Sequence, residues 1–395
     1  MAVLAVLALI AFRRPGWVLR SVIAALIGVA ATANGAVHVY DLTVHHDAAG
    51  GSTLAEVVRD VSGVATLVAG IWLLGLAMVL PWRRWVLRPS GPRSWWRRCA
   101  RAVAVLAVTL AFLALVAFPV GLGTVQTHRL QHTSTGPVPP GYREVGFVAA
   151  DGVELSGWYH PSRNGAAVLL VPSASGTRDS VRAHAHVLVE HGYGVLAYDA
   201  RGSGASGGVR NAYGWGWNAD VLGGVRFLSA QHDVQPAHIG AVGLSTGADV
   251  LIEAASARDD GGLSAIVADG ATARSAGDLA PLEPTLADTL GDLPLRVTFG
   301  VISLLTGTRP GPPLRQLAAE SRGRGPPMLL VATGSIPQEI PLSRRYASAA
   351  HAELWTLPEI AHTRGIYDAP GYEHRVVGFL DRALHAGHVE PGSAP

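Results

Sequence analysis

The chain has 395 residues, only 15% of them charged, and a mean hydropathy of +0.28. It contains no lysine, and its formal net charge of +2 argues against a nucleic-acid partner. The single cysteine, Cys99, excludes an intramolecular disulfide framework and a cysteine-based zinc site.

Apolar residues crowd into the first third. A spanning helix needs about 20 mostly apolar residues, and residues 21–40, 61–81 and 102–125 each fit. Residues 1–12 are apolar but short, and read as a partial span or one with its start trimmed. Arg13, Arg14 and Arg20 precede the first span. Arg83, Arg84, Arg88, Arg93, Arg97, Arg98 and Arg101 separate the second from the third. The loop 41–60 has only Arg59 against Asp41, Asp47, Glu56 and Asp60. Arginine-rich loops stay in the cytoplasm. The expectation is therefore a multi-pass region, residues 1–125, in a bacterial cell membrane, with everything after it on the extracytoplasmic face. Trp82, Trp85, Trp95 and Trp96 sit where interfacial anchors belong. Asn34 and His38 read as facing neighbouring helices rather than as a transport site. His45, His46 and Asp47 lack a further ligand at helical spacing and read as a polar loop.

Residues 126–141 form a linker whose end, from Gln131, is polar and rich in proline and glycine. A second domain follows, residues 142–390. Strands are expected at 142–149 and 153–159, joined at Asp151-Gly152, a hairpin signal. Further strands are expected at 167–171, 195–198, 239–244, 263–268, 328–332 and 352–357. Helices are expected at 180–191, 219–230, 248–257, 342–350 and 371–385. Short apolar strands alternating with helices imply an α/β protein with a doubly wound, mostly parallel sheet covered on both faces. Residues 276–327 are too long for a simple crossover. They carry an apolar run at 293–305 and are expected to form a small cap over an apolar pocket.

Gly243-Leu244-Ser245-Thr246-Gly247 spells G-x-S-x-G between an expected strand and an expected helix. A sharp turn there pushes a serine hydroxyl out of the sheet, and the helix N-terminus beneath it favours developing negative charge. Asp199 to Ser206 is glycine-rich but lacks G-x-G-x-x-G spacing, so it implies no nucleotide and reads as a turn beside the site.

Asp151 to Tyr159, Gly192 to Ser206, Gly243 to Gly247, Ala361-His362-Thr363 and Arg375 to Leu384 occur in the order seen in the α/β-hydrolase superfamily. The chain resembles that superfamily over residues 142–385. The likeness is greatest to its dienelactone-hydrolase-like and prolyl-oligopeptidase-like branches. The resemblance implies the α/β-hydrolase fold and the chain order serine, acid, histidine. Ser245 is then the nucleophile and His362 the base. The acid is expected after strand 328–332, where Pro337 occupies the usual position. Glu339, two residues later, is favoured, with Asp269 as the alternative. The oxyanion hole needs two N–H groups. Thr246 should give one. Pro172 has none to give, so the other should come from Ala174, or else Ser173, with the side chains of Ser173 and Ser175 as further donors. No metal or cofactor is expected. The expected activity is cleavage of a small-molecule or lipid-like carboxylic ester through an acyl-enzyme. A peptidase or thioesterase with the same triad, or a catalytically silent binding protein on this fold, are the rivals.

Overall fold

The computed structural model describes residues 16–45, 54–82, 95–127, 138–174, 176–256, 262–279 and 291–384. The chain forms two compact units. One comprises Met1–His128 with Pro284–Gly307, the other Arg129–Glu283 with Thr308–Pro395.

In the first unit, helices Trp17–His45 and Leu54–Pro81 pair along their length. Glycines set the spacing. A Cβ on Gly35 would stand 2.4 Å from the Leu67 nitrogen, and one on Gly70 would stand 2.5 Å from the Thr32 nitrogen. The backbones therefore touch, and dispersion along the seam holds them. Gly35→Leu is expected to destabilise this unit by about 3 kcal/mol, because the neighbouring atoms are backbone and cannot yield. Gly75→Leu, with nothing within 4 Å of its Cβ position, should cost under about 0.5 kcal/mol. Thermal unfolding in detergent compares the two, and equal melting points would disprove the close seam.

Among the described residues, two helices are long and apolar enough to cross a membrane: Leu19–Val37 and Trp95–Thr127, the latter with a π turn at Leu113–Ala117. The expected second span, 61–81, falls within helix Leu54–Pro81. There the described apolar run is Ala65–Val79, short of a full crossing. Residues 1–12, Arg83 to Arg93, His46 and Asp47 lie outside the described residues.

The expected cap, 276–327, does not stay in one piece. Helix Leu293–Thr306 belongs to the first unit and packs on Phe118–Thr127, where Gly123 admits Val301. Its apolar residues run round the helix, so one face is buried while Leu304 remains 84% exposed. Helix Leu314–Ser321 instead packs on helix Thr246–Ser256 in the second unit.

The second unit is an eight-stranded sheet: β1 Arg143–Val148, β2 Glu154–His160, β3 Ala167–Val171, β4 Gly194–Tyr198, β5 Ile239–Leu244, β6 Ala265–Asp269, β7 Met328–Thr333 and β8 Glu353–Leu357. The spatial order is β1-β2-β4-β3-β5-β6-β7-β8. Among these strands, β2 alone runs opposite in direction to the rest. Strands β3 to β7 are buried end to end, as a sheet covered on both faces requires. Side chains alternate between the faces. Leu169, Leu196, Ile266 and Leu330 share one core with helices Asn218–Ser229 and Thr246–Ser256. Val168, Val195, Val242 and Val331 share the other with Arg182–Glu190 and Tyr372–Leu384.

The parallel register aligns Leu244 with Asp269, Asp269 with Val331 and Thr333 with Leu357. The carboxyl ends of β5 to β8 therefore lie side by side. Loops leaving that edge can converge, and in open α/β sheets ligand sites form there.

Candidate active site

Ser245 directly follows β5 with φ 54°, a left-handed conformation that costs a non-glycine residue energy. The turn is tight enough to demand glycine on both sides. A Cβ on Gly243 would stand 2.4 Å from the Gly247 oxygen, and one on Gly247 would stand 2.3 Å from the Val171 oxygen. The Asp269 carbonyl at the end of β6 accepts the Ser245 N–H at 2.8 Å and pins the turn to the sheet.

His362 sits in the loop after β8, before Thr363, which also has a left-handed φ, of 55°. That loop is tied to the one after β7. The Gly334 N–H donates to the Ile360 carbonyl at 3.1 Å, and the His362 N–H donates to Ser335 Oγ at 2.7 Å. Glu339 opens helix Glu339–Ala350 and is fully buried. Its Oε1 accepts the Thr333 N–H at 2.5 Å and the Thr333 hydroxyl at 2.8 Å. Its Oε2 lies 2.6 Å from His362 Nδ1, and His362 Nε2 lies 2.9 Å from Ser245 Oγ. With Nδ1–H donating to the carboxylate, Nε2 is the acceptor for the serine hydroxyl.

The structure thus brings Ser245, His362 and Glu339 into one hydrogen-bonded chain. Asp269, the alternative acid, is engaged elsewhere. Its Oδ2 accepts the Tyr372 hydroxyl at 2.5 Å. Burial pushes its carboxyl up to about 7, against the lowering effect of that bond. His184 Nε2 stands 3.2 Å from the same hydroxyl, and burial pushes its imidazole down to about 4. This buried trio braces the sheet end beneath the serine turn.

Thr246 begins helix Thr246–Ser256, and its hydroxyl donates to the Ala212 carbonyl at 2.9 Å. Ala174 lies in the turn after β3, closed by the Gly176 N–H donating to the Ser173 carbonyl at 2.7 Å. Ser175 lies outside the described residues. The contact of Gly247 with the Val171 and Pro172 oxygens puts the helix start against the end of β3, so Thr246 and Ala174 come from adjoining backbones. Thr333, Ser335 and Tyr372 hold the arrangement in place. Sequence reasoning missed them, because a threonine closing a buried strand looks like any other strand end.

A model of the X-Pro dipeptidyl-peptidase (S15 family) matches residues 151–280, a span that holds Ser245 but stops short of Glu339 and His362. The uncharacterized protein Rv2307c of Mycobacterium tuberculosis is 35% identical over 167 residues, 40% of this chain and 57% of the relative. The uncharacterized protein YfhR of Escherichia coli is 29% identical over 140 residues, 34% of this chain and 49% of the relative. The chain therefore spans about half the length of the curated relatives it matches. Among solved structures, the Pyrococcus furiosus esterase Pf2001 superposes with a TM-score of 0.51 at 23% identity. That superposition covers 65% of this chain and 98% of the esterase. The chain has the α/β-hydrolase fold. In α/β-hydrolase terms, Ser245 occupies the strand-to-helix elbow, Glu339 the loop side of β7 and His362 the loop after β8.

Proposed function

We propose that the chain is a serine hydrolase that cleaves a carboxylic ester through an acyl-enzyme. The observation that carries this reading is the unbroken chain from Ser245 Oγ through the His362 ring to Glu339, at 2.9 and 2.6 Å. A serine hydroxyl is a weak nucleophile without a base in bonding reach, and the base needs an acceptor to fix its tautomer. Ser245 Oγ attacks the ester carbonyl as its proton passes to His362 Nε2. The buried Glu339 carboxylate stabilises the imidazolium. The Thr246 and Ala174 N–H groups hold the oxyanion. The intermediate collapses, and the alcohol leaves with the proton from Nε2. Water, deprotonated by His362, then releases the acid and regenerates Ser245.

The S15 match favours a second reading, in which the same triad cuts a peptide bond. It ends before the base and the acid, so the ester reading is kept. The first unit is proposed to be embedded in a membrane, with the hydrolase unit on the extracytoplasmic face and a small ester or lipid-like molecule as substrate. Val108 and Trp72 support embedding, being 70% and 66% exposed in a unit of apolar helices.

One experiment tests the whole reading. Carbonate-washed membranes from expressing cells should show a band labelled by a fluorophosphonate probe, and Ser245→Ala should show none. Label persisting on the variant removes the nucleophile, and label found only in the soluble fraction removes the embedding. A p-nitrophenyl ester turned over more slowly than an X-Pro p-nitroanilide would select the peptidase.

A further inference from the structure

The glycine-rich turn from Asp199 to Ser206 takes no part in the triad, yet it underlies both backbones expected to hold the oxyanion. Asp199 is fully buried. Its carboxylate accepts the Arg178 N–H at 2.9 Å and the Arg178 guanidinium at 3.1 Å, and so fixes the end of the loop that contains Ala174. Gly202, at φ 71°, lies so close to the next segment that a Cβ would stand 2.1 Å from the Arg210 nitrogen. The Arg210 guanidinium donates through Nη2 to the Ala174 carbonyl at 3.2 Å. Two residues later, the Ala212 carbonyl accepts the Thr246 hydroxyl at 2.9 Å. Gly214 then packs on Thr246, leaving a Cβ only 2.7 Å from Thr246 Cγ2. Residues 210–214 thus grip Ala174 from one side and Thr246 from the other. Among the described residues, neither the Ala174 N–H nor the Thr246 N–H donates to a protein acceptor.

We propose that Arg210 is a positioning residue for the oxyanion hole, holding Ala174 at the spacing from Thr246 that two N–H donors to one oxygen require. The proposal rests on the triad reading above. Donors placed in advance stabilise developing charge without reorganising during the reaction. Among its described residues, the loop after β3 has one internal backbone bond to shape it, between Gly176 and Ser173, and Arg178 and Arg210 tie it from outside. Burial pushes the Arg210 guanidinium down to about 10, so it remains a cation at neutral pH and adds a favourable field near the oxyanion.

The test uses the full chain in detergent micelles, a short-chain p-nitrophenyl ester and a trifluoromethyl ketone, which binds as an oxyanion mimic. Arg210→Gln should lower kcat about tenfold, and Arg210→Lys about threefold, since misplaced oxyanion donors cost rate. KM should stay within about twofold, and ketone affinity should fall by the same factor as kcat/KM. A merely structural role would not make those two losses proportional. If the glutamine variant fails to fold, the lysine variant decides by the same proportionality. A folded variant with unchanged kcat and ketone affinity overturns the proposal. A rise in KM alone also overturns it and makes Arg210 a substrate contact. Failure of the triad reading shows itself separately, as turnover that survives Ser245→Ala.

Discussion

Glu339→Gln is expected to lower kcat by about 10³-fold or more, whereas Asp269→Asn stays within about threefold of the parent. The Glu339 carboxylate touches His362 Nδ1 at 2.6 Å and is held by two bonds from Thr333. Glutamine offers the ring an amide that can present N–H instead of oxygen. That favours the wrong tautomer and removes the charge that stabilises the imidazolium. Asp269 differs in chemistry and in position. Burial raises its carboxyl to about 7, so the charge lost on conversion to asparagine is only partly present near neutral pH. Asparagine also keeps an oxygen for the Tyr372 hydroxyl. Initial rates on a p-nitrophenyl ester at saturating substrate decide the matter. The larger loss in Asp269→Asn would move the acid to β6.

Gly334→Ala is expected to destabilise the second unit by about 3 kcal/mol and to lower kcat about 100-fold. A Cβ at Gly334 would stand 1.8 Å from the Pro358 carbonyl oxygen and 2.6 Å from its carbon. Both atoms are backbone, so no side chain can swing aside. The two loops must part, and they are the loops that carry Glu339 and His362. Their separation breaks the Gly334–Ile360 bond and strains the 2.6 Å contact between acid and base. Ser335→Ala is the milder comparison. It removes only the hydroxyl that accepts the His362 N–H, and should cost about 1 kcal/mol. Thermal unfolding and kcat of the two variants check this. A Gly334→Ala protein that melts and turns over like its parent would show that the loops are not tied as described.

Strands β3 to β7 were legible because each is a short apolar run, and burial on both faces left no competing period, whereas β1 and β2 were legible from the hairpin signal between them. Observed and expected limits differ by a residue or two. The helix expected at 342–350 begins at Glu339 instead. Pro341 falls in its first turn, where a proline gives up no hydrogen bond the helix would have made. That misjudged start matters, because it places the carboxylate of Glu339 at the helix entrance. Ser245 and His362 were legible from local spacing and chain order. The choice between Glu339 and Asp269 was not, since one closes β6 and the other follows the adjacent β7, and only the three-dimensional path of the chain decides which reaches His362. Nor was the Arg210 grip legible, because 36 residues separate it from Ala174. The apolar run at 293–305 was visible, but apolarity alone does not say which partner buries it.

The way the chain threads its two units bears on any attempt to produce the second unit in water. Cutting before Arg129 removes the leading helices but leaves Leu293–Thr306 stranded between β6 and β7, stripped of the Phe118–Thr127 surface on which it packs. Such a truncate carries an orphaned greasy segment and is prone to clump. A well-behaved excised second unit needs a further edit, with residues 284–307 replaced by a short hydrophilic bridge.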